Sequence, residues 1–382
     1  MVDWKLKGEY AGKAKVNALR KTIAQVDLSK YRENLRSLRA AMGEGVKLMA
    51  VVKANAYGHG LVHIAQAAQD ERVDYLAVAL AEEGAQLREA GIDLPILVLA
   101  GLSPDSTLEA VAHGLTLTVH TPDHVAHARQ AAERLGKQAQ AHIKLDTGMN
   151  RIGVKDSTEL RDLLALLGTI PTVALTGAFT HFASADDPNP GMTDRQLARF
   201  QEFAQLLPGK LLLHASGSSA LIKRADARLN MVRAGISTYG YSPVPTEIPL
   251  KPVLSWLAEI THVKQIAPGE TVSYGATFTA QRATRVATLA VGYGDGYSRL
   301  LSNTGEVLIN RTRCKVLGRV CMDQVMVDVT DAGSVEIGSQ AILIGSDGAQ
   351  AIGADELARK IGTIPYEILL SISSRVPRVY SR

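Results

Sequence analysis

Cysteine is nearly absent: Cys314 and Cys321 are the two in 382 residues. They form no Cys-x-x-Cys pattern and no histidine pair stands near them, which argues against a disulfide framework and against a zinc site. A reducing, cytoplasmic setting is the default expectation. No stretch offers about 18 uninterrupted apolar residues, so no membrane-spanning helix is expected, and the first ten residues lack the apolar core of a signal peptide. A surplus of one charge is also missing. The 42 basic and 38 acidic residues give a net charge of +4, spread along the chain with no dense Lys/Arg run beyond the mildly basic first 21 residues. Nucleic acid is therefore not an implied partner. What remains is 46% hydrophobic and 5% aromatic, ordinary for a globular chain long enough to form two domains.

Residues 1–21 are polar, lysine-rich and without period, and are read as an N-terminal extension. A short strand is expected at 22–26. Asp27 or Ser29 then caps a helix to about Met42, with Leu28, Tyr31, Leu35 and Leu38 on one face. From residue 47 to 234, β-type runs at 48–52, 75–79, 96–99, 115–119, 141–145, 173–179, 211–214 and 231–234 alternate with helical patterns. Eight strand-then-helix repeats predict an α/β fold, an N-terminal (β/α)8 TIM-type barrel. A doubly wound open sheet shares the first half of the pattern, and the count favours closure. The proline-punctuated stretch 242–252 marks a boundary. The barrel is accordingly placed at 22–251 and a smaller, mostly-β C-terminal domain at 252–382, which strand 22–26 is a candidate to join. In that domain β segments are expected at 253–266, 271–279, 285–291, 306–310, 315–320, 324–329 and 340–344, with a helix at 354–361.

Chemistry concentrates at residues 48–60. The apolar run Leu48–Val52 fits a strand buried on both faces, and Lys53 stands where it ends. A buried, unpaired ammonium is costly, so this lysine either snorkels to water or is neutralised. Desolvation lowers the amine pKa and leaves it nucleophilic, as in Schiff-base lysines bonded to a cofactor aldehyde. The chain then turns through Asn55, Gly58 and Gly60 into a helical pattern, which puts Lys53 at a strand-to-helix corner, the active face of such barrels.

The wording Ala50-Val51-Val52-Lys53-Ala54-Asn55-Ala56-Tyr57-Gly58-His59-Gly60 closely resembles the pyridoxal-phosphate signature of the alanine racemase family. The resemblance continues, motif by motif, over roughly residues 22–380. It implies that Lys53 carries pyridoxal 5'-phosphate and that the Tyr57 hydroxyl binds the cofactor phosphate, where Tyr57 could otherwise simply pack on the barrel rim. In Ile143–Gly153 it places Arg151 near the cofactor ring oxygen and the substrate carboxylate. Lys144 matches a lysine often carbamylated in the family; the plainer alternative is a free amine paired with a carboxylate. His181, in Thr180–Asp186, matches a histidine that hydrogen-bonds the arginine beneath the cofactor. In 214–219 the family usually has Asn where this chain has Gly217, which leaves Ser218 as a phosphate ligand at a helix start. Gly235 and Ile236 would offer backbone N–H groups to the phosphate, and Arg233 aligns with the residue that meets the pyridine nitrogen. Tyr366 lies against the phosphate by the same resemblance.

In the second domain, Val272-Ser273-Tyr274-Gly275 resembles the family's other catalytic motif. Racemisation needs a base on each face of Cα. Lys53 would serve one face and Tyr274, supplied by the partner subunit of a homodimer, the other. A phenol with a pKa of about 10 is a poor base unless cations lower it, and His181 and Arg233 are the candidates. Met322 would bind the substrate carboxylate through its backbone, while Asp295, Arg299, Arg319 and Asp323 match segments that shape or gate the entrance. Arg233 argues against the related decarboxylases, which place a carboxylate at its position. The resemblance thus implies pyridoxal-phosphate-dependent racemisation of L- and D-alanine, supplying D-alanine for peptidoglycan. A serine or broad-specificity racemase is the alternative in the same class, and a non-catalytic cofactor-binding barrel the alternative outside it; the latter has no counterpart to the β domain with Tyr274.

Overall fold

In the computed structural model, which describes residues 20–382, the first sheet contains eight parallel strands in the order β8-β7-β6-β5-β4-β3-β2-β9. Chain order is β1 (Ile23–Asp27), α1 (Leu28–Met42), β2 (Lys47–Val51), a one-turn element α2 (Lys53–Tyr57), α3 (Leu61–Asp70), β3 (Tyr75–Val78), α4 (Ala81–Glu89) and β4 (Ile96–Val98). It continues with α5 (Pro104–Ala112), β5 (Thr116–Val119), α6 (Pro122–Leu135), β6 (Ala139–Lys144), α7 (Ser157–Gly168), β7 (Val173–Phe179), α8 (Gly191–Ala204), β8 (Leu212–His214), α9 (Ser218–Lys223) and β9 (Met231–Ala234). Strands β3, β4, β5 and β9 are buried at every position, as parallel strands covered on both faces must be. The gap between β8 and β9 is bridged by Asn230 N–H to the Leu213 carbonyl at 3.2 Å and Arg233 N–H to the Ser216 carbonyl at 3.0 Å. The result is the expected eight-stranded barrel, nearly closed.

The helices start where their caps dictate. The Asp27 carboxylate accepts from Ser29 and Lys30 N–H at 3.0 and 3.1 Å, so α1 begins at Leu28 and buries Leu28, Tyr31, Leu35 and Leu38. Thr121 caps α6 with Pro122 in its first turn, and Asp156 caps α7.

By compactness the chain forms two units: residues 20–24, Trp256–Ala351 and Ser373–Pro377 in one, and Gln25–Ser255, Ile352–Ile372 and Arg378–Arg382 in the other. Strand β1 is divided between them. Residues 352–372, though they come after the β segments in sequence, group with the barrel. There α10 (Ala354–Ile361) starts with its first N–H on the Tyr241 hydroxyl at 3.3 Å, and α11 (Pro365–Ser371) sets the Leu369 carbonyl against Gly58.

The other unit is mostly antiparallel sheet. The long β10 (Leu254–Ile266), most of which lies here, pairs with β13 (Thr284–Leu289) and β17 (Gln340–Asp347). β14 (Glu306–Ile309) joins β17 to β15 (Thr312–Lys315), and β16 (Val325–Asp328) flanks β13. Two predicted strands differ from expectation. The 271–279 run is cut into β11 (Thr271–Val272) and β12 (Phe278–Thr279), because Ser273, Gly275 and Ala276 take positive φ values of 67°, 73° and 47°. The strand expected at 315–320 lies earlier, at Thr312–Lys315, and shares only Lys315 with that segment, because Gly318 turns the chain at φ +72°. Of the N-terminal extension, only Arg20 and Lys21 are described. Arg20 forks onto the Asp295 carboxylate at 2.6 and 3.1 Å; the rest of that expectation lies outside the described residues.

Candidate active site

Lys53 opens a turn of unusual hand. Ala54, Asn55, Ala56 and Tyr57 have φ values of 52–54°, making α2 a left-handed helical turn. Such a conformation costs an L-residue about 1–2 kcal/mol each, so the surroundings must impose it. Ala56 N–H donates to the Val52 carbonyl at 2.8 Å and Gly58 N–H to the Ala54 carbonyl at 3.1 Å. Glu83 at the start of α4 accepts from Ala54 N–H with one oxygen, and from Ala79 and Leu80 N–H at 2.9 and 3.2 Å with the other. Asn55 Oδ1 receives Leu61 N–H at 2.9 Å and so starts α3. Gly58, at φ +81°, leaves no room for a side chain, since a Cβ there would lie 2.7 Å from the Leu369 carbonyl oxygen. The turn lifts Lys53 to the end of β2, partly buried. Burial, reinforced by the Arg151 charge, lowers the amine's pKa, and Glu83 acts in the opposite direction. Lowering it enlarges the neutral, nucleophilic fraction.

Tyr57 closes the turn and points its hydroxyl at the end of β9. A Cβ on Gly235 would meet that oxygen at 2.6 Å, so glycine keeps a cradle open here. Ser218, the first residue of α9, accepts from the Gly235 and Ser237 N–H groups at 3.2 and 3.4 Å, and Ile236 lies between them in the chain. The Tyr366 ring is 5.8 Å from that of Tyr57. Burial holds both phenols protonated, with Tyr366 pushed up to about 12, which makes them hydrogen-bond donors. Two phenolic donors, a serine hydroxyl and a run of backbone N–H groups suit a phosphate dianion. Gly217 stands where an Asn side chain would crowd His181, whose Cε1 would lie 3.2 Å from an added Cβ.

Arg233 lies inside the barrel, 4% exposed. Its guanidinium donates to the carbonyls of His214, Thr180 and Ala215 at 3.0, 2.8 and 2.8 Å, to His214 Nδ1 at 2.8 Å and to His181 Nδ1 at 3.0 Å. Burial lowers the pKa of His181 to about 3, helped first by Arg233 and then by Arg151. The imidazole is thus neutral, and it cannot be the cation proposed from sequence to lower a phenol's pKa. Lys144 is buried on β6 and donates to the Leu145 carbonyl at 2.8 Å, with its ammonium 5.6 Å from the Phe179 ring centre. A carbonyl, then, takes the place of the carboxylate partner. Burial and the nearby Arg233 lower its pKa to about 8. Arg151 is exposed, just past the β6 strand end, and its charge acts on Lys53, Lys144 and His181.

Ten of the twelve candidate residues therefore belong to the barrel unit, and Tyr274 and Met322 to the other. Tyr274 is 71% exposed and Met322 53%. The Met322 carbonyl accepts from Gly294 N–H at 2.9 Å, and Cys321's from Tyr293 N–H at 3.0 Å, which clips the Gly292–Tyr297 loop to the loop bearing Met322. Fully buried Asp295 accepts from Gly292 N–H at 3.1 Å and pairs with Arg20, while Arg375 joins Asp323 at 2.7 Å.

Sequence reasoning passed over three residues of this site: Glu83, His142 and His214. His142 had a signal, because it stands two residues before Lys144 on one strand and so shares its inward face. Glu83 had none, lying on another helix 29 residues from the backbone it holds.

Residues 26–243 match the family described as Alanine racemase, N-terminal domain, and residues 253–380 match Alanine racemase, C-terminal domain. The chain is 40% identical over 371 residues to the alanine racemase of Halothermothrix orenii, spanning 94% of this chain and 97% of that relative. To alanine racemase 1 of Bacillus subtilis it is 41% identical over 368 residues, spanning 94% and 93%. The crystal structure of alanine racemase from Bacillus anthracis with bound L-Ala-P matches with a TM-score of 0.88 at 36% identity, covering 95% of each chain. With both domains matched in order over nearly the whole length, the chain belongs to the alanine racemase family, whose members depend on pyridoxal phosphate.

Proposed function

We propose that this chain interconverts L- and D-alanine as a cytoplasmic homodimer, with pyridoxal phosphate held on Lys53 and with Tyr274 of the partner subunit completing each site. The observation that carries the proposal is the desolvated Lys53 amine, set by an enforced left-handed turn beside the Gly235 cradle. The residues present fit the cofactor: Tyr57, Tyr366, Ser218 and the N–H groups of Gly235 and Ile236 would hold the phosphate, and Arg233 would meet the ring nitrogen. The cofactor contributes electron withdrawal from the substrate Cα, which makes its proton acidic.

The chain's own groups govern the fate of that proton. An arginine donates a hydrogen bond without giving up its own proton. Carbonyls and ring nitrogens surround Arg233 on both nitrogen arms, so it has no reason to transfer one. Arg233 would thus hold the ring nitrogen without giving it a proton, which favours return of the substrate proton to Cα and so inversion over transamination. Lys53 takes or gives that proton on one face and Tyr274 on the other. Arg151 and the Met322 N–H orient the substrate carboxylate. Lys144, with its lowered pKa, carries enough neutral amine to add carbon dioxide, forming the N–C bond with release of an N–H proton to solvent, and the resulting carbamate would place an anion beside Arg151.

The test is loss of optical rotation with L-alanine beside L-serine, coupled to borohydride reduction and peptide mapping. Alanine should turn over much faster, with the pyridoxyl group on Lys53. Equal rates would remove alanine as the assigned substrate, and an unlabelled Lys53 would remove the site.

A further inference from the structure

Ser273 immediately precedes Tyr274 with φ 67° and ψ −177°. Only glycine enters that region freely; another residue held there is strained, and such strain gathers where the surroundings need one direction of the chain. The surroundings here are specific. The Ser273 hydroxyl donates to the Arg319 carbonyl at 2.6 Å and lies 3.4 Å from Cys321 Sγ. Gly318 approaches so closely that a Cβ on it would sit 2.4 Å from the Val272 carbonyl oxygen and 2.8 Å from Ser273 Cβ. On the other side of the turn, Asn303 Nδ2 donates to Thr277 Oγ1 at 3.1 Å, while its Oδ1 accepts from Gly318 N–H at 2.6 Å. The 318–321 segment thus grips the Tyr274 turn before and after the tyrosine.

Tyr274 itself is 71% exposed in the single chain, so little packing from its own subunit holds its ring. The direction of its phenol must come from the backbone of the turn. We propose that Ser273 is the positioning residue for Tyr274: its hydroxyl holds a strained backbone in the one direction that presents the phenol for proton transfer. Because the gripping segment runs straight on to Met322, one loop sets both the phenol and the N–H that receives the substrate carboxylate. This inference rests on Tyr274 being a proton-transfer group in the proposed racemisation.

The test compares Ser273→Gly and Ser273→Ala in the full-length holoenzyme, with Tyr274→Phe as reference. Glycine relieves the positive φ and removes the hydroxyl, so Tm should hold or rise while kcat falls about tenfold or more, with a smaller change in KM. Alanine removes the hydroxyl and keeps the unfavourable φ, so its Tm should lie below that of the glycine variant. In chains carrying 3-fluorotyrosine, the resonance lost in Tyr274→Phe should broaden or split in Ser273→Gly, with and without cofactor. Wild-type kcat together with an unchanged resonance in Ser273→Gly would overturn the inference. If Tyr274→Phe itself racemised normally, the two-base reading would fail instead, so the two failures are distinguishable.

Discussion

The Arg233 guanidinium donates to Nδ1 of His214 at 2.8 Å, and that contact sets the protons on two rings. Arginine has no acceptor atom, so His214 Nδ1 must present its lone pair and carry its hydrogen on Nε2. That N–H faces His142 Nδ1 at 3.0 Å, which must therefore accept, leaving the His142 hydrogen on Nε2. There it is buried without a hydrogen-bond partner among the described residues. One fixed cation thereby orders a row of neutral imidazoles across the barrel interior.

Neutral imidazoles in the folded state make stability depend on pH. Burial, with Arg233 next, lowers His142 and His181 to about 3 and His214 well below its ordinary value. When pH falls below the unfolded histidine pKa of about 6.5, the unfolded chain takes protons that the folded chain refuses. Stability should therefore be full above that pH and decline toward about 3, where His142 and His181 begin to charge in the folded state. Between pH 6.5 and 4.5 the loss should be on the order of 2 kcal/mol each for His142 and His181, with His214 acting in the same direction. Thermal unfolding across this window measures it, and His142→Gln should show a shallower slope. Equal slopes would show that His142 does not contribute.

Glu83→Ala should loosen the Lys53 turn without touching the lysine. Its carboxylate accepts three backbone N–H groups, one of them from Ala54. Losing charged hydrogen bonds of this kind costs about 1.5–3 kcal/mol apiece at most, with water recovering part. Expected are a drop in Tm and faster release of pyridoxal phosphate on dialysis. Unchanged cofactor retention would mean that Gly58 and Asn55 suffice to hold the turn.

Asp295→Ala should destabilise the chain by about 3 kcal/mol, because it leaves the Arg20 guanidinium and Gly292 N–H facing a site with no carboxylate. Chemical denaturation reads the loss. Asp295→Asn retains an acceptor for Gly292 and should fall between the two. A wild-type midpoint in both variants would show that the ion pair contributes nothing net.

Lys144 should bind carbon dioxide reversibly. With 13C-bicarbonate near pH 8, where its amine is partly neutral, a carbamate resonance is expected that disappears in Lys144→Arg. Activity should decline in carbon-dioxide-free buffer and return on adding bicarbonate. Absence of the signal would leave Lys144 as the free amine bonded to Leu145.

Much of this architecture is local in origin. The eight apolar runs and the caps at Asp27, Thr121 and Asp156 depend on neighbours within a few residues, so strand and helix positions agree with the observed ones to within a residue or two. The handedness of the Lys53 turn was not legible, because Ala-Asn-Ala-Tyr has only Asn55 to suggest positive φ. Nor was the break of the 271–279 strand at Tyr274, since the segment that bends it lies at 318–321.

The amino-acid order alone therefore determined the eight βα repeats and the β segments after the proline-rich stretch, since periodicity and capping act along the chain, and it named the candidate site residues through their motifs. Only tertiary structure decided which of those residues are neutral, which way they point and which strained turns persist. Desolvation depends on what closes over a group from distant segments, and a costly backbone conformation survives only where such segments hold it.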